Sequence, residues 1–226
     1  MKLLFLGTGA ADWPQEKPSD QTEHRRFSSA LIDGTLLIDP GPQVPKALRE
    51  QNIPPSDIRF VINTHRHSDH FSDQTLAMLK AAGAQFVPIA AGETQQIGRY
   101  TISAYRANHG TVTEAVHFII TDGERTLFYG LDGAWLLYEE VQAIKAAKPD
   151  LAVLDATIGF VEGDYRIFEH NDLAMVLQMQ KTLAPYVGRF CISHMAYTLH
   201  TDHGALADAM RPYDILVAFD GLEVTL

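Results

Sequence analysis

Short apolar runs, each cut by Gly, Pro, Asn or Asp, recur along this chain. They predict strands at residues 3–6, 60–62, 86–89, 100–107, 151–154 and 190–192. Three pairs of runs flank an Asp-Gly dipeptide, a strong short-range hairpin signal. Hairpins are therefore expected over 29–33 with 36–39, 115–121 with 126–129, and 215–219 with 222–225. Helical character appears at 44–51, 73–82, 135–147 and 202–210. A further helix is expected after Asp172, its N-cap, where Leu173, Val176, Leu177 and Leu183 keep helical spacing. Strands dominate early and alternate with helices later. Two mixed β-sheets with helices on their outer faces, an α/β architecture of the αββα sandwich kind, fit this order. A single doubly wound sheet fits less well because of the hairpins. No repeat or linker interrupts the pattern, so residues 1–226 read as one domain.

Composition adds exclusions. The 226 residues are 46% hydrophobic and 20% charged, the balance of a soluble globular protein with ample core. A net charge of −10 argues against a long nucleic-acid partner, which needs a basic stripe, but not against a small phosphorylated substrate. The apolar start stops at Gly7, too soon for a secretory segment, and no run reaches transmembrane length. The expectation is a cytoplasmic protein with no membrane partner; a homodimer stays open. The only cysteine, Cys191, sits among apolar neighbours, which reads as a core thiol and leaves neither a disulfide nor a thiolate metal site.

The chemistry concentrates directly after the run at 60–62. His65, His67, Asp69 and His70 fall within six residues, at the C-terminal end of an apolar strand, where ligands commonly bind in α/β proteins. Imidazole and carboxylate donors suit zinc, manganese or iron. Four such groups exceed what one open catalytic metal needs, so two divalent metal ions are expected. The same event recurs later: an apolar strand ends, and His109, Asp132 or His194 follows. Asp39 and Asp155 also end strands and are candidates to orient ligating histidines. His170 lies just before the helix N-cap. His200 and His203 read as surface or rim residues, His117 as a solvent-facing or packed histidine, and Asp220 as a hairpin turn residue. The pair Arg25-Arg26 carries guanidinium groups that match phosphate geometry and is a candidate substrate-binding element.

The His-x-His-x-Asp-His stretch, with the later His, Asp and His in order, resembles the metallo-β-lactamase-fold superfamily of metal-dependent hydrolases. The resemblance implies that His65, His67 and His109 hold one metal and that Asp69, His70 and His194 hold the other. It implies that Asp132 bridges them together with a water or hydroxide, with Asp69 and Asp132 thereby part of the catalytic machinery. The superfamily's redox branch normally has Glu where this chain has His67, so oxygen reduction is not expected. A narrower resemblance is to the phosphodiesterase branch, in particular to phosphoribosyl 1,2-cyclic phosphate phosphodiesterases. It rests on Arg25-Arg26, His170-Asn171-Asp172-Leu173 and Phe219-Asp220-Gly221. It implies hydrolysis of a small or cyclic phosphodiester, with His170 protonating the leaving oxygen. Those enzymes carry an extra zinc site built from N-terminal cysteines; this chain lacks them, so its N-terminal loop needs other contacts. Hydrolysis of a carboxylic ester, lactone or thioester at the same site is the alternative, and a metal-binding protein without turnover is a third reading.

Overall fold

Alternation along the strands decides the layers. In β1 (Lys2–Gly7), Leu3 and Phe5 face one apolar cluster while Leu6 faces another on the opposite side. The computed structural model describes residues 1–110 and 112–226. After β1 come β2 (Ser29–Ile32), β3 (Leu36–Ile38), α1 (Val44–Glu50), β4 (Phe60–Ile62), α2 (Asp73–Ala81) and β5 (Gln85–Phe86). The second half contributes β6 (Thr94–Ile97), β7 (Tyr100–Arg106), β8 (Val116–Thr121), β9 (Thr126–Gly130), α3 (Tyr138–Ala147) and β10 (Leu151–Asp155). It closes with α4 (Leu173–Leu183), β11 (Arg189–Ser193), α5 (His203–Met210), β12 (Ile215–Val217) and β13 (Glu223–Thr225).

Two sheets result, ordered β13-β1-β2-β3-β4-β5 and β12-β11-β10-β9-β8-β7-β6. Each is mixed in the same way. Antiparallel pairs come first, and parallel strands follow from β3 to β5 and from β9 to β12. Helices intervene between successive parallel strands, as a parallel crossover requires. The central core lies between the sheets and joins Phe5, Ile32 and Ile38 to Ile102, Phe118, Tyr129 and Val153. The outer clusters cover the other faces. Leu31, Leu37 and Val61 meet Val44 and Leu48 of α1 and Leu79 of α2, while Leu154 and Ile192 meet Ile144, Val176 and Leu206 from α3, α4 and α5. The order helix, sheet, sheet, helix is the αββα sandwich expected from the pattern. Among the described residues no helix is long and apolar enough to cross a membrane.

Several local expectations differ from the structure. The predicted hairpin 215–225 does not form: β12 pairs with β11 in one sheet and β13 with β1 in the other. Gly221, at φ +93°, does turn the chain, but Ala218 donates to Ile192 O and Gly221 to Phe5 O, so the turn bridges the two sheets. Asp220 is correspondingly not a hairpin residue; it accepts from Thr8 Oγ1 and Arg26 N. β6 was not expected, because Thr94-Gln95-Gln96-Ile97 is a polar edge strand that buries only Ile97. The strand expected at 86–89 shrinks to β5, Gln85–Phe86. The helix expected from residue 135 starts at Tyr138, since Trp135 is left-handed at φ 56° and Glu140 bonds back to Leu137 N.

The cysteine-free N-terminal loop is held by an aromatic lock. Buried Trp13 donates its indole N–H to Met195 O at 2.8 Å and stands against Tyr197 and His24, with ring centroids 4.8 and 5.9 Å away. Asp12 caps the backbone of Tyr197 and Thr198, and Gln21 bonds the Tyr197 hydroxyl. Cys191 is a core thiol, its ionisation pushed up to about 12 by burial.

Phe118 is fully buried between the sheets. Phe118→Ala is expected to lower stability by about 3–5 kcal/mol, read as a fall in the urea unfolding midpoint with the slope unchanged.

Candidate metal centre

The seven candidate ligands leave from strand ends or from the loops that follow them, on both sheets. The loop after β4 carries His65, His67, Asp69 and His70; His109 follows β7, Asp132 follows β9 and His194 follows β11. The structure brings all seven together. Ligand atoms of His65, His67 and His109 lie within 4.8 Å of one another, as do those of Asp69, His70 and His194. Asp132 stands between the two groups. Its Oδ2 is 2.7 Å from His70 Nε2, and its Oδ1 is 2.9 Å from His194 Nε2 and 4.0 Å from His109 Nε2.

The backbone contributes to this convergence. Asp39, Asp132 and His194 all adopt left-handed φ values of 60–65° just beyond β3, β9 and β11. Such residues cost about 1–3 kcal/mol each and cluster at functional sites. Two glycines leave room for close approaches. A Cβ at Gly41 would meet Asp69 O at 2.4 Å, and one at Gly133 would meet the His117 ring at 2.7 Å.

Most of the imidazoles have the other nitrogen held from behind, which fixes ring orientation. Asp39 Oδ2 is 2.8 Å from His70 Nδ1, Ser28 Oγ is 2.9 Å from His194 Nδ1, and Glu169 O is 3.2 Å from His109 Nδ1. Thr64 Oγ1, itself donating to Asp39, is 3.1 Å from His65 Nδ1. Asp39 and Asp155 were legible as strand-end acids. Ser28, Thr64 and the Glu169 carbonyl were not, because nothing in a lone Ser, Thr or backbone group marks it in sequence.

The donor set fits metal binding. His65 Nε2 is buried without a hydrogen-bond partner, and His70 Nε2 and Asp132 Oδ2, though 2.7 Å apart, are not aligned for a hydrogen bond, an arrangement costly unless something else binds them. Burial, with His70 and His109 nearby, pushes the His65 ionisation down to about 2, so the ring is a neutral donor. Burial also lowers His109. For His70, burial opposes the charge, but Asp132, Asp69 and Asp39 outweigh it and raise the ring well above its usual value. Burial would raise Asp132, yet His194 and His70 hold it well below the carboxylate range. A cation between these groups replaces the proton His70 would otherwise keep. The nitrogen and oxygen donors suit zinc, manganese or iron.

His170 joins the cluster from the loop before α4, its ring centroid 5.0 Å from that of His109 and 5.6 Å from that of His194. Asp155 holds it at Nδ1, 2.9 Å away. Fully buried Asp155 also accepts from Asp132 N, Thr157 N, Thr157 Oγ1 and Asn171 N. Burial works against charge on His170, but Asp155 and then Asp132 lift it to about 9. Asp172 caps α4 through Met175 N, and His117 is buried against Glu140 rather than facing solvent. His200 reaches Ala156 O.

His67 is exposed, so the centre opens there. His65 and His67 border a cavity of about 870 Å³ whose walls include Phe86, Ile89 and Val112. Arg25 and Arg26 are elsewhere: they line a different cavity that none of the seven candidate ligands borders.

A sequence model of the metallo-beta-lactamase superfamily matches residues 28–75, which contain Asp39, His65, His67, Asp69 and His70. A search of curated proteins finds no match. Solved structures with the same architecture include the metallo-beta-lactamase fold protein YhfI from Bacillus subtilis, 16% identical, TM-score 0.75, covering 99% of both chains. A diphosphatase of the PhnP family is 18% identical, TM-score 0.74, covering 100% of this chain and 97% of that one. Zinc-bound PqqB from Methylobacterium extorquens is 16% identical, TM-score 0.75, covering 100% of both. The chain has the metallo-beta-lactamase fold.

Asp39 touches His70 but reaches no other candidate ligand. Asp39→Ala is expected to weaken metal retention by about 10–100-fold, measured by competition with a chromogenic chelator.

Proposed function

We propose that this chain is a metal-dependent hydrolase, and within that class a phosphodiesterase for a small or cyclic phosphodiester. The observation that carries the finer reading is His170. It is a histidine beyond the seven-ligand set, anchored through Nδ1 by Asp155 and held beside Asp132. Carbonyl hydrolysis needs no separate acid for a good leaving group, whereas an alkoxide leaving a phosphodiester gains from protonation as it departs. The PhnP-family diphosphatase among the structural relatives supports phosphorus chemistry in this fold.

Two divalent cations held by His65, His67, His109, Asp69, His70, His194 and Asp132 would supply a water deprotonated near neutral pH and would stabilise charge on the phosphoryl oxygens. The protein's own groups do the rest. Asp39, Ser28 and the Glu169 carbonyl keep three imidazoles turned inward. Protonated His170 keeps its Nδ1 proton on Asp155 and gives its Nε2 proton to the leaving oxygen. The ring left behind is neutral and still hydrogen-bonded, so it stays in place to be reprotonated. Cations held beside it would oppose charge on His170 and so work against the lift from Asp155 and Asp132. The open side at His67 admits the substrate, and the adjoining cavity can take its non-reacting part.

Side-by-side turnover of an aryl phosphodiester and a lactone panel by the metal-loaded protein tests the reading; hydrolysis of lactones alone rejects it. His170→Ala is expected to slow phosphodiesters with poor leaving groups by about 10²–10⁴-fold, with metal content intact and nitrophenyl esters much less affected. An acid must be protonated to act, so activity should fall as pH rises through the His170 ionisation. A pH–rate profile of His170→Ala should lose that alkaline limb.

A further inference from the structure

Arg25 is only 7% exposed, yet among the described residues no carboxylate forms an ion pair with it. Its Nη1 donates to Thr8 Oγ1 and Ala218 O, both at 2.8 Å, and its Nη2 lies 3.2 Å from His203 Nδ1. Asp220 and Glu23 act on it only from beyond ion-pair distance, so its buried charge is incompletely paired, which is costly unless an anion completes it. It lines a cavity of about 740 Å³ that Lys17, Lys46, His24 and His203 also border, Lys17 donating to Thr22 O and Lys46 pairing with Glu16. Four Lys or Arg side chains line it against three Asp or Glu, a formal excess of one positive charge in a chain of net charge −10.

The acids bordering the same cavity are already engaged. Glu23 accepts from His203 N with both oxygens, at 3.0 and 3.1 Å. Asp220 accepts from Thr8 Oγ1 and Arg26 N, and Glu50 pairs with Arg26. His203 is set up as a donor. If Nδ1 accepts from Arg25, the ring proton must sit on Nε2. Phe219 packs edge-on against the ring, 5.5 Å between centroids, and fixes its plane.

We infer that this cavity is a second, metal-independent anion site that takes a phosphate group on Arg25 and His203, with Lys17 and Lys46 at its rim. None of the seven candidate ligands borders this cavity, and Arg26 is already taken by Glu50 and Leu6 O, which leaves Arg25 as the arginine that meets the phosphate. The inference stands independently of the proposed reaction.

The test is a titration of the zinc-loaded full chain with inorganic phosphate, followed by imidazole resonances in two-dimensional NMR, with His203→Gln used to assign the His203 signal. A saturable shift of the His203 signal is expected, absent with potassium chloride at equal ionic strength. Arg25→Gln should weaken it roughly tenfold or more, the loss of a charge-assisted hydrogen bond. The exposed-side variant carrying Lys17→Ala and Lys46→Ala should weaken it severalfold and keeps the test decisive if Arg25→Gln does not fold. Tighter binding of glycerol 3-phosphate than of phosphate would identify an organic phosphate as the ligand; equal binding would identify phosphate itself. Shifts confined to the metal-centre histidines, the same response to chloride, or unchanged affinity in the double lysine variant would overturn the inference. Phosphate binding at His203 without any phosphodiesterase activity would reject the proposed reaction and leave this site standing.

Discussion

The structure depends on one buried carboxylate being shared. Asp132 is almost fully buried; Oδ2 meets His70 and Oδ1 meets His194 of one group, while His109 of the other group stands 4.0 Å from Oδ1. A lone carboxylate at that depth is unfavourable, and surrounding it with neutral imidazoles would not repair the cost. Cations would, and they would also satisfy the orphaned nitrogens of His65 and His70. The fold must therefore deliver seven donors to one point from two sheets. It does so by ending β4, β7, β9 and β11 toward the same edge of the sandwich. The left-handed turns at Asp132 and His194 then swing the last side chains inward.

This explains why so much of the chain near the centre is polar, buried and satisfied. Asp39 serves His70 and Thr64, and Ser28 serves His194 while its backbone N–H bonds Gly9 O in the first glycine turn. Each contact removes rotational freedom from a ring before any ion arrives. The cost of ordering is met during folding, when the two sheets close on their shared core, rather than on metal binding.

The sequence was informative where function is encoded by a local rule. A short apolar run read as a strand, ended by a His or Asp, pointed to the seven residues that converge at the candidate centre, and Asp39 and Asp155 followed by the same rule. The hairpins at Asp33-Gly34 and Asp122-Gly123 formed because both arms bury side chains in the same sheet. Asp220-Gly221 has the same dipeptide but its arms join different sheets, a fact set by Phe5 and Ile192 far away in the chain. β6 was illegible because an edge strand with one buried residue has no alternation to detect. The arginine pair stood out as a candidate phosphate-binding element, but the setting of Arg25 depends on Thr8, Ala218 and His203, which only the folded chain assembles.

Asp155 ties the two halves of the candidate chemistry together. One carboxylate accepts the backbone N–H of Asp132, bonds His170 Nδ1, and fixes Thr157 and Asn171 on either side of the loop between them. Asn171 in turn accepts from Trp135 N, in the segment that follows Asp132. Asp132 and His170 are therefore both tied to one carboxylate at the end of β10, which couples the position of a candidate ligand to that of a candidate acid.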